Sequence, residues 1–201
     1  MLDAFIRPII NKPLEKVALI FTKNKISPNS ITYTGFGFGI IAALLLMVQF
    51  YIPALIFILL NRLCDGLDGA VARVGGTQSD LGGYLDIVLD FIFYSAVIFG
   101  FCIGHPEQAI YGAFLIFSFI GTGSSFLAFA IIAQKRNIET ESRGKKSFFH
   151  AGGLAEGTET FAALCLMCIM PEFFYLIALI FGLMCWLTTL ARIHEAYEQF
   201  Q

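Results

Sequence analysis

Four aspartates stand at fixed intervals in one stretch of this chain: Asp65, Asp68, Asp86 and Asp90, within CDGLDGAVARVGGTQSDLGGYLDIVLD, residues 64–90. On a helix, Asp65, Asp68, Gly69, Ala72 and Arg73 are three or four residues apart and share one face. Gly82, Asp86 and Asp90 step by four and share a face on the next helix. The GGTQSD between them reads as a short turn, so the two helices run antiparallel and their acid faces converge. Four carboxylates without His or Cys suit hard cations such as magnesium, manganese or calcium rather than zinc. Two divalent ions bridging such a cluster can also grip a phosphate or diphosphate, the geometry of two-metal phosphoryl chemistry. Gly66, Gly69, Ala70, Ala72, Gly82 and Gly83 leave room for a ligand and for close helix approach. Arg73 offers a fixed fork for phosphate oxygens. Asp80 falls in the turn, off both faces, and is expected to cap or to be solvated. The same acids also suit a polar cluster that ties helices together, or the lining of a cation path.

The elements that must position these acids are oily. The chain of 201 residues is 57% hydrophobic with 22 Phe, 14% charged and carries a net charge of −2, where a soluble domain has about 25% charged residues. A membrane protein is indicated, and with no basic run interleaved with aromatics a nucleic-acid partner is not expected. Six stretches qualify as spans by the measure of ~20 mainly apolar residues per bilayer crossing: Ile31 to Phe50, Tyr51 to Val74, Leu81 to Ile103, Ala109 to Ala133, Gly153 to Met170 and Phe173 to Ile193. The fold class is thus an all-α integral membrane protein of six transmembrane helices, one domain over 1–201. Residues 1–25 mix charges through apolar positions without the apolar core of a signal peptide. They read as an amphipathic helix on the membrane surface, broken by Pro8 and Pro13. In this six-span arrangement all 13 Lys and Arg fall on one side, which the positive-inside rule makes the cytoplasm, with both termini there. Five Cys lie in apolar stretches, and Cys165 and Cys168, with neither a second such pair nor a neighbouring His, are assigned no chemistry.

Read in order, Asp65-x-x-Asp68-Gly69-x-x-Ala72-Arg73, eight residues, then Gly82-x-x-x-Asp86-x-x-x-Asp90 resembles the signature of the CDP-alcohol phosphotransferase (CDP-alcohol phosphatidyltransferase) family at every defined position. Pro28, Asn29 and Thr32 of SPNSIT resemble an element that family members carry near the nucleotide. The resemblance implies a membrane enzyme of phospholipid synthesis. Its members transfer the substituted phosphate of a CDP-alcohol, commonly CDP-diacylglycerol, to a second alcohol and release CMP, with two divalent cations, magnesium or manganese. On that reading Asp65, Asp68, Asp86 and Asp90 bind metal, and Asp90 is also the general base. Gly69 and Ala72 leave room for cytidine, and Asn29, Thr32 and Arg73 help to hold the nucleotide and diphosphate, with Gly82 completing the pocket. The family also implies a homodimer and, here, a bacterial inner (cytoplasmic) membrane with the active site facing the cytoplasm.

The acceptor, a small polar alcohol, is expected to meet later helices. Lys135, Arg136 and Arg143 could bind an acceptor phosphate, although basic residues beside a membrane also set topology or contact lipid headgroups. Glu156 and Glu159, three apart at a span's end, suit acceptor contact or pairing with Arg62 or Arg73. Two other functions fit the acids: a divalent-cation transporter, and a catalytically silent family member.

Overall fold

The computed structural model describes residues 3–136 and 153–200, and every regular element among them is helical. Helix α1 spans Asp3–Lys23 and is unbroken, against the sequence expectation of a break at Pro8 and Pro13. A proline removes one backbone hydrogen bond, and at Pro13 packing of the next turn sustains the helix. Leu14 and Ala18 are buried with Ile31, Leu67, Ala70 and Val71, which seats α1 on α3.

Helix α2 (Pro28–Met47) starts where Ser27 accepts a hydrogen bond from the Ser30 amide at 3.2 Å, with Pro28 in the first helical position, where its missing N–H costs nothing. It ends before the expected Phe50, because Gln49 takes a left-handed conformation (φ 61°) that turns the chain into α3 (Tyr51–Gly75). Gly76, at φ 62°, closes α3, as a residue without Cβ does at little cost. Ser79 then caps α4 (Asp80–Gly104) by accepting from the Gly82 amide at 3.1 Å. Asp80 is therefore the first residue of α4 rather than part of the turn, where the helix dipole favours an acid. A 3-10 turn leads to α5 (Ala109–Lys135); α6 is Gly157–Ile169, and a second 3-10 turn precedes α7 (Phe174–Phe200), which runs beyond the expected end at Ile193.

Packing centres on α2, which lies against both α3 and α4. Since lipid removes most of the hydrophobic drive between helices, close backbone approach must supply much of the association. A Cβ added to Gly100 of α4 would fall 2.5 Å from the Ala43 carbonyl oxygen, and one on Gly104 2.5 Å from that of Leu46. On the other flank, Gly35 leaves space for Cys64 of α3, and buried Asn61 donates to the Gly35 carbonyl at 2.9 Å. A larger aromatic core lies between α4, α5 and α7, where Phe101 stacks on Phe174 at 4.8 Å. At the bundle end away from the acids, Tyr51 hydrogen-bonds His105, which contacts Glu107 at 2.9 Å and fastens α3 to the end of α4.

Among the described residues, four segments are long and apolar enough to cross a membrane: α2, α4, α5 with its preceding turn, and α7 with its preceding turn. Helix α3 is long enough at 25 residues but carries Arg62, Asp65, Asp68 and Arg73. Its first half nevertheless exposes a stripe of Ile52, Ile56, Leu59 and Leu63 at helical spacing. Helix α6 begins at Gly157 instead of the expected Gly153 and has 13 residues, about 20 Å at 1.5 Å per residue, against about 30 Å of hydrocarbon. The expected six crossings thus come down to α3 and α6.

Candidate active site

Three helices build the site. The faces drawn from sequence phase do meet: Asp65 and Asp68 on α3 and Asp86 and Asp90 on α4 line one small space of about 20 Å³, closed on its α2 side by Thr32, Gly35 and Phe36 and by Asn61. A space of that size admits one water molecule or ion without moving a helix. It opens into a cavity of about 860 Å³, whose wall takes in Asn29, Gly69, Ala72, Arg73 and Gly82, all expected at the nucleotide, together with Gly157, Thr158 and Phe161 of α6. Asn29 reaches across to α4, its Oδ1 lying 3.5 Å from where a Gly82 Cβ would stand. Arg73 folds back over Gly69, whose Cβ would sit 3.1 Å from Arg73 Nη1. The motif glycines thus leave space that side chains from neighbouring turns use. Leu59 and Leu63, from the exposed stripe of α3, also line the cavity.

The acids differ in their surroundings. Asp68, 6% exposed, accepts a 2.5 Å hydrogen bond from the Thr32 hydroxyl. Asp90 accepts from the Tyr94 hydroxyl at 2.9 Å. Arg62 lies 2.5 Å from Asp65 and 3.9 Å from Asp90, bridging α3 and α4 at the deep end of the cluster. Asp86 stands beside Asp65. As the side chains stand, no three of Asp, Glu, His and Cys among the described residues are arranged to hold a metal ion. The donor set fits one all the same: the oxygens are hard carboxylates, there is room between them, and a guanidinium already occupies Asp65 as a stand-in cation.

Among the described residues, the expected acceptor residues Lys135, Arg136, Glu156 and Glu159 are not part of the cavity wall. Arg136 donates to the Phe200 carbonyl at 2.6 Å and lies over the Phe200 ring, tying α5 to the end of α7. Lys135 is exposed at the end of α5. Arg143 lies outside the described residues. Glu156 and Glu159 form a capping box on α6, each side chain accepting from the other's backbone amide, which satisfies two otherwise orphan donors. Arg192 donates to the Thr122 carbonyl at 2.9 Å, and its charge also interacts with Glu156 and Glu195. Sequence reasoning assigned no site role to Asn61 or Tyr94; the only signal for either was a polar atom one helical turn from an acid in an apolar run.

The sequence profile described as CDP-alcohol phosphatidyltransferase matches residues 25–193. The inner membrane protein YnjF of Escherichia coli is 48% identical over 198 residues, 98% of this chain and 96% of that protein. Archaetidylinositol phosphate synthase of Pyrococcus horikoshii is 34% identical over 99 residues, 49% of this chain and 53% of that one. In fold, the chain resembles the Mycobacterium tuberculosis phosphatidylinositol phosphate synthase solved with CDP-DAG bound, at TM-score 0.67 and 19% identity over 92% of this chain and 93% of that one. A second structure of that synthase, in complex with manganese and citrate, matches at TM-score 0.66 and 18% identity, covering 92% of this chain and 88% of that one.

Proposed function

Because this chain belongs to the CDP-alcohol phosphatidyltransferase family and is a metal-dependent membrane transferase, we propose that it transfers the phosphatidyl group of CDP-diacylglycerol to a small polar alcohol. The observation that carries the reading is the convergence of all four motif aspartates on one cavity that also reaches the exposed face of α3. The acceptor oxygen forms a bond to the phosphorus nearest the lipid, the bond from that phosphorus to the CMP phosphate breaks, and CMP leaves with the electron pair. Asp90 takes the hydroxyl proton, and its 2.9 Å bond from Tyr94 aims the carboxylate. Asp65, Asp68, Asp86 and Asp90 would hold divalent cations, which supply charge stabilisation to the diphosphate and the departing CMP. Asn29, Ala72 and Arg73 line the side of the cavity near the α3–α4 turn, where cytidine and its phosphates fit. The acceptor approaches from α6, between Gly157, Thr158 and Phe161.

The same reading places α3 and α6 as the two remaining crossings and puts the site on the cytoplasmic side of a bacterial inner membrane. The positive-inside asymmetry and the kinship to an E. coli inner membrane protein support this. Homodimerisation is carried over from the family.

Purified protein given CDP-diacylglycerol, manganese or magnesium and a mixed pool of polar alcohols should release CMP, and mass spectrometry of the lipid product would identify the acceptor. Asp90→Asn should abolish release while retaining the wild-type melting temperature. Unchanged CMP release by that variant would remove Asp90 from the role of base.

A further inference from the structure

We infer that Arg62 is the resident counter-ion of the carboxylate cluster: it holds Asp65 when no divalent ion is bound, and the ion displaces it. The inference rests on the metal-site reading above. Three observations converge on it. Arg62 Nη1 stands 2.5 Å from Asp65 Oδ2, on a carboxylate that the motif assigns to metal. The four carboxylates line one small space, and that of Asp65 is turned to a guanidinium. Finally, Arg62 has somewhere to go. Its Nη2 lies beside α6, 3.3 Å from where a Gly157 Cβ would stand, so it borders the cavity on the acceptor side.

The physical need for such a residue is direct. Four acids at the membrane end of two helices repel one another, and an uncompensated cluster in a partly desolvated site is strongly destabilising. A fixed guanidinium offsets this before metal arrives, and the offset becomes redundant when a divalent ion brings more charge to the same oxygens. Arg62 is thus a positioning residue. It offsets the repulsion within the cluster and, released from Asp65, stays beside α6, where its Nη2 already borders Gly157.

The test compares metal-stripped wild type with Arg62→Gln and Arg62→Lys, by manganese titration followed by electron paramagnetic resonance and by thermal unfolding with and without manganese. Arg62→Gln should bind manganese about two- to fivefold tighter, the order expected on freeing a carboxylate that is 21% exposed from one ion pair. It should also melt below wild type without metal, with at least half of that deficit closing at saturating manganese. Arg62→Lys, which keeps the charge without the fork, should fall between the two. An Arg62→Gln variant with unchanged or weaker manganese affinity would overturn the inference, as would a melting deficit that is the same with and without metal. Such results alongside normal binding by wild type leave the metal site standing. A wild type that neither binds manganese nor gains stability from it overturns both.

Discussion

Replacing Thr32 by Val tests how α2 contributes to the site, because the two side chains are nearly equal in shape and only the hydroxyl is lost. That hydroxyl donates to Asp68 Oδ2 at 2.5 Å and lies 3.2 Å from the Pro28 carbonyl, so its single proton goes to the carboxylate and the residue fixes both the acid and the first turn of α2. Asp68 is 6% exposed, so water cannot easily replace the lost donor. A hydrogen bond to a charged group contributes about 1.5–3 kcal/mol, which at about 1.4 kcal/mol per decade corresponds to roughly 10- to 150-fold. Residues that orient metal ligands typically change affinity by about 10–100-fold, the same range reached independently. The manganese concentration that half-saturates CMP release should therefore rise about 10–100-fold in Thr32→Val, with CDP-diacylglycerol saturating and the protein still folded, though melting below wild type. A double-mutant cycle with Asp68→Asn, read by manganese binding, should show strong coupling. If the half-saturating concentration moves less than threefold while the KM for CDP-diacylglycerol rises, Thr32 serves the nucleotide, as its motif position implied, and the positioning argument fails.

Gly100→Ala should lower stability by about 1–3 kcal/mol, because the new methyl would meet the Ala43 carbonyl oxygen at 2.5 Å and push α4 from α2. Gly37→Ala, also in a helix but with nothing within 4 Å, should be neutral or slightly stabilising in the same detergent melt, and equal losses in both variants would refute the close-packing account. Glu159→Ala should cost about 0.5–2 kcal/mol through loss of the reciprocal cap on α6. Its acceptor KM should stay within twofold of wild type, whereas a raised KM at unchanged stability would return Glu159 to the acceptor.

The parts of the site that sequence made legible are those set by local geometry. Helical phase put Asp65 with Asp68 and Asp86 with Asp90, and Gly76 and Ser79 punctuate the turn that folds one pair onto the other, so α3 and α4 followed within a residue or so. What stayed hidden depends on contacts between residues far apart in the chain. Thr32 to Asp68 and Asn61 to Gly35 join α2 to α3 across 36 and 26 residues, and no periodicity reports such a partner. The capping role of Glu156 and Glu159 stayed hidden for a different reason. A glutamate is not a favoured N-cap, so E-x-x-E at a helix start reads as a pair of available acids until the backbone amides they accept from are seen. Arg136 looked like a loop cation because its partners, the last carbonyls of α7, lie 63 and 64 residues further on.

Leu59 and Leu63 belong to two surfaces at once, the outward stripe of α3 and the wall of the cavity. The proposed donor therefore need not be lifted out of the leaflet: its head group turns into the acids while its tails stay among their neighbours, and the phospholipid product leaves by the same lateral opening. Encounter becomes a search in two dimensions. The quantity that governs turnover is then the mole fraction of donor in the bilayer or micelle, so diluting the donor with inert lipid should slow the reaction, and diluting the whole suspension with buffer should not.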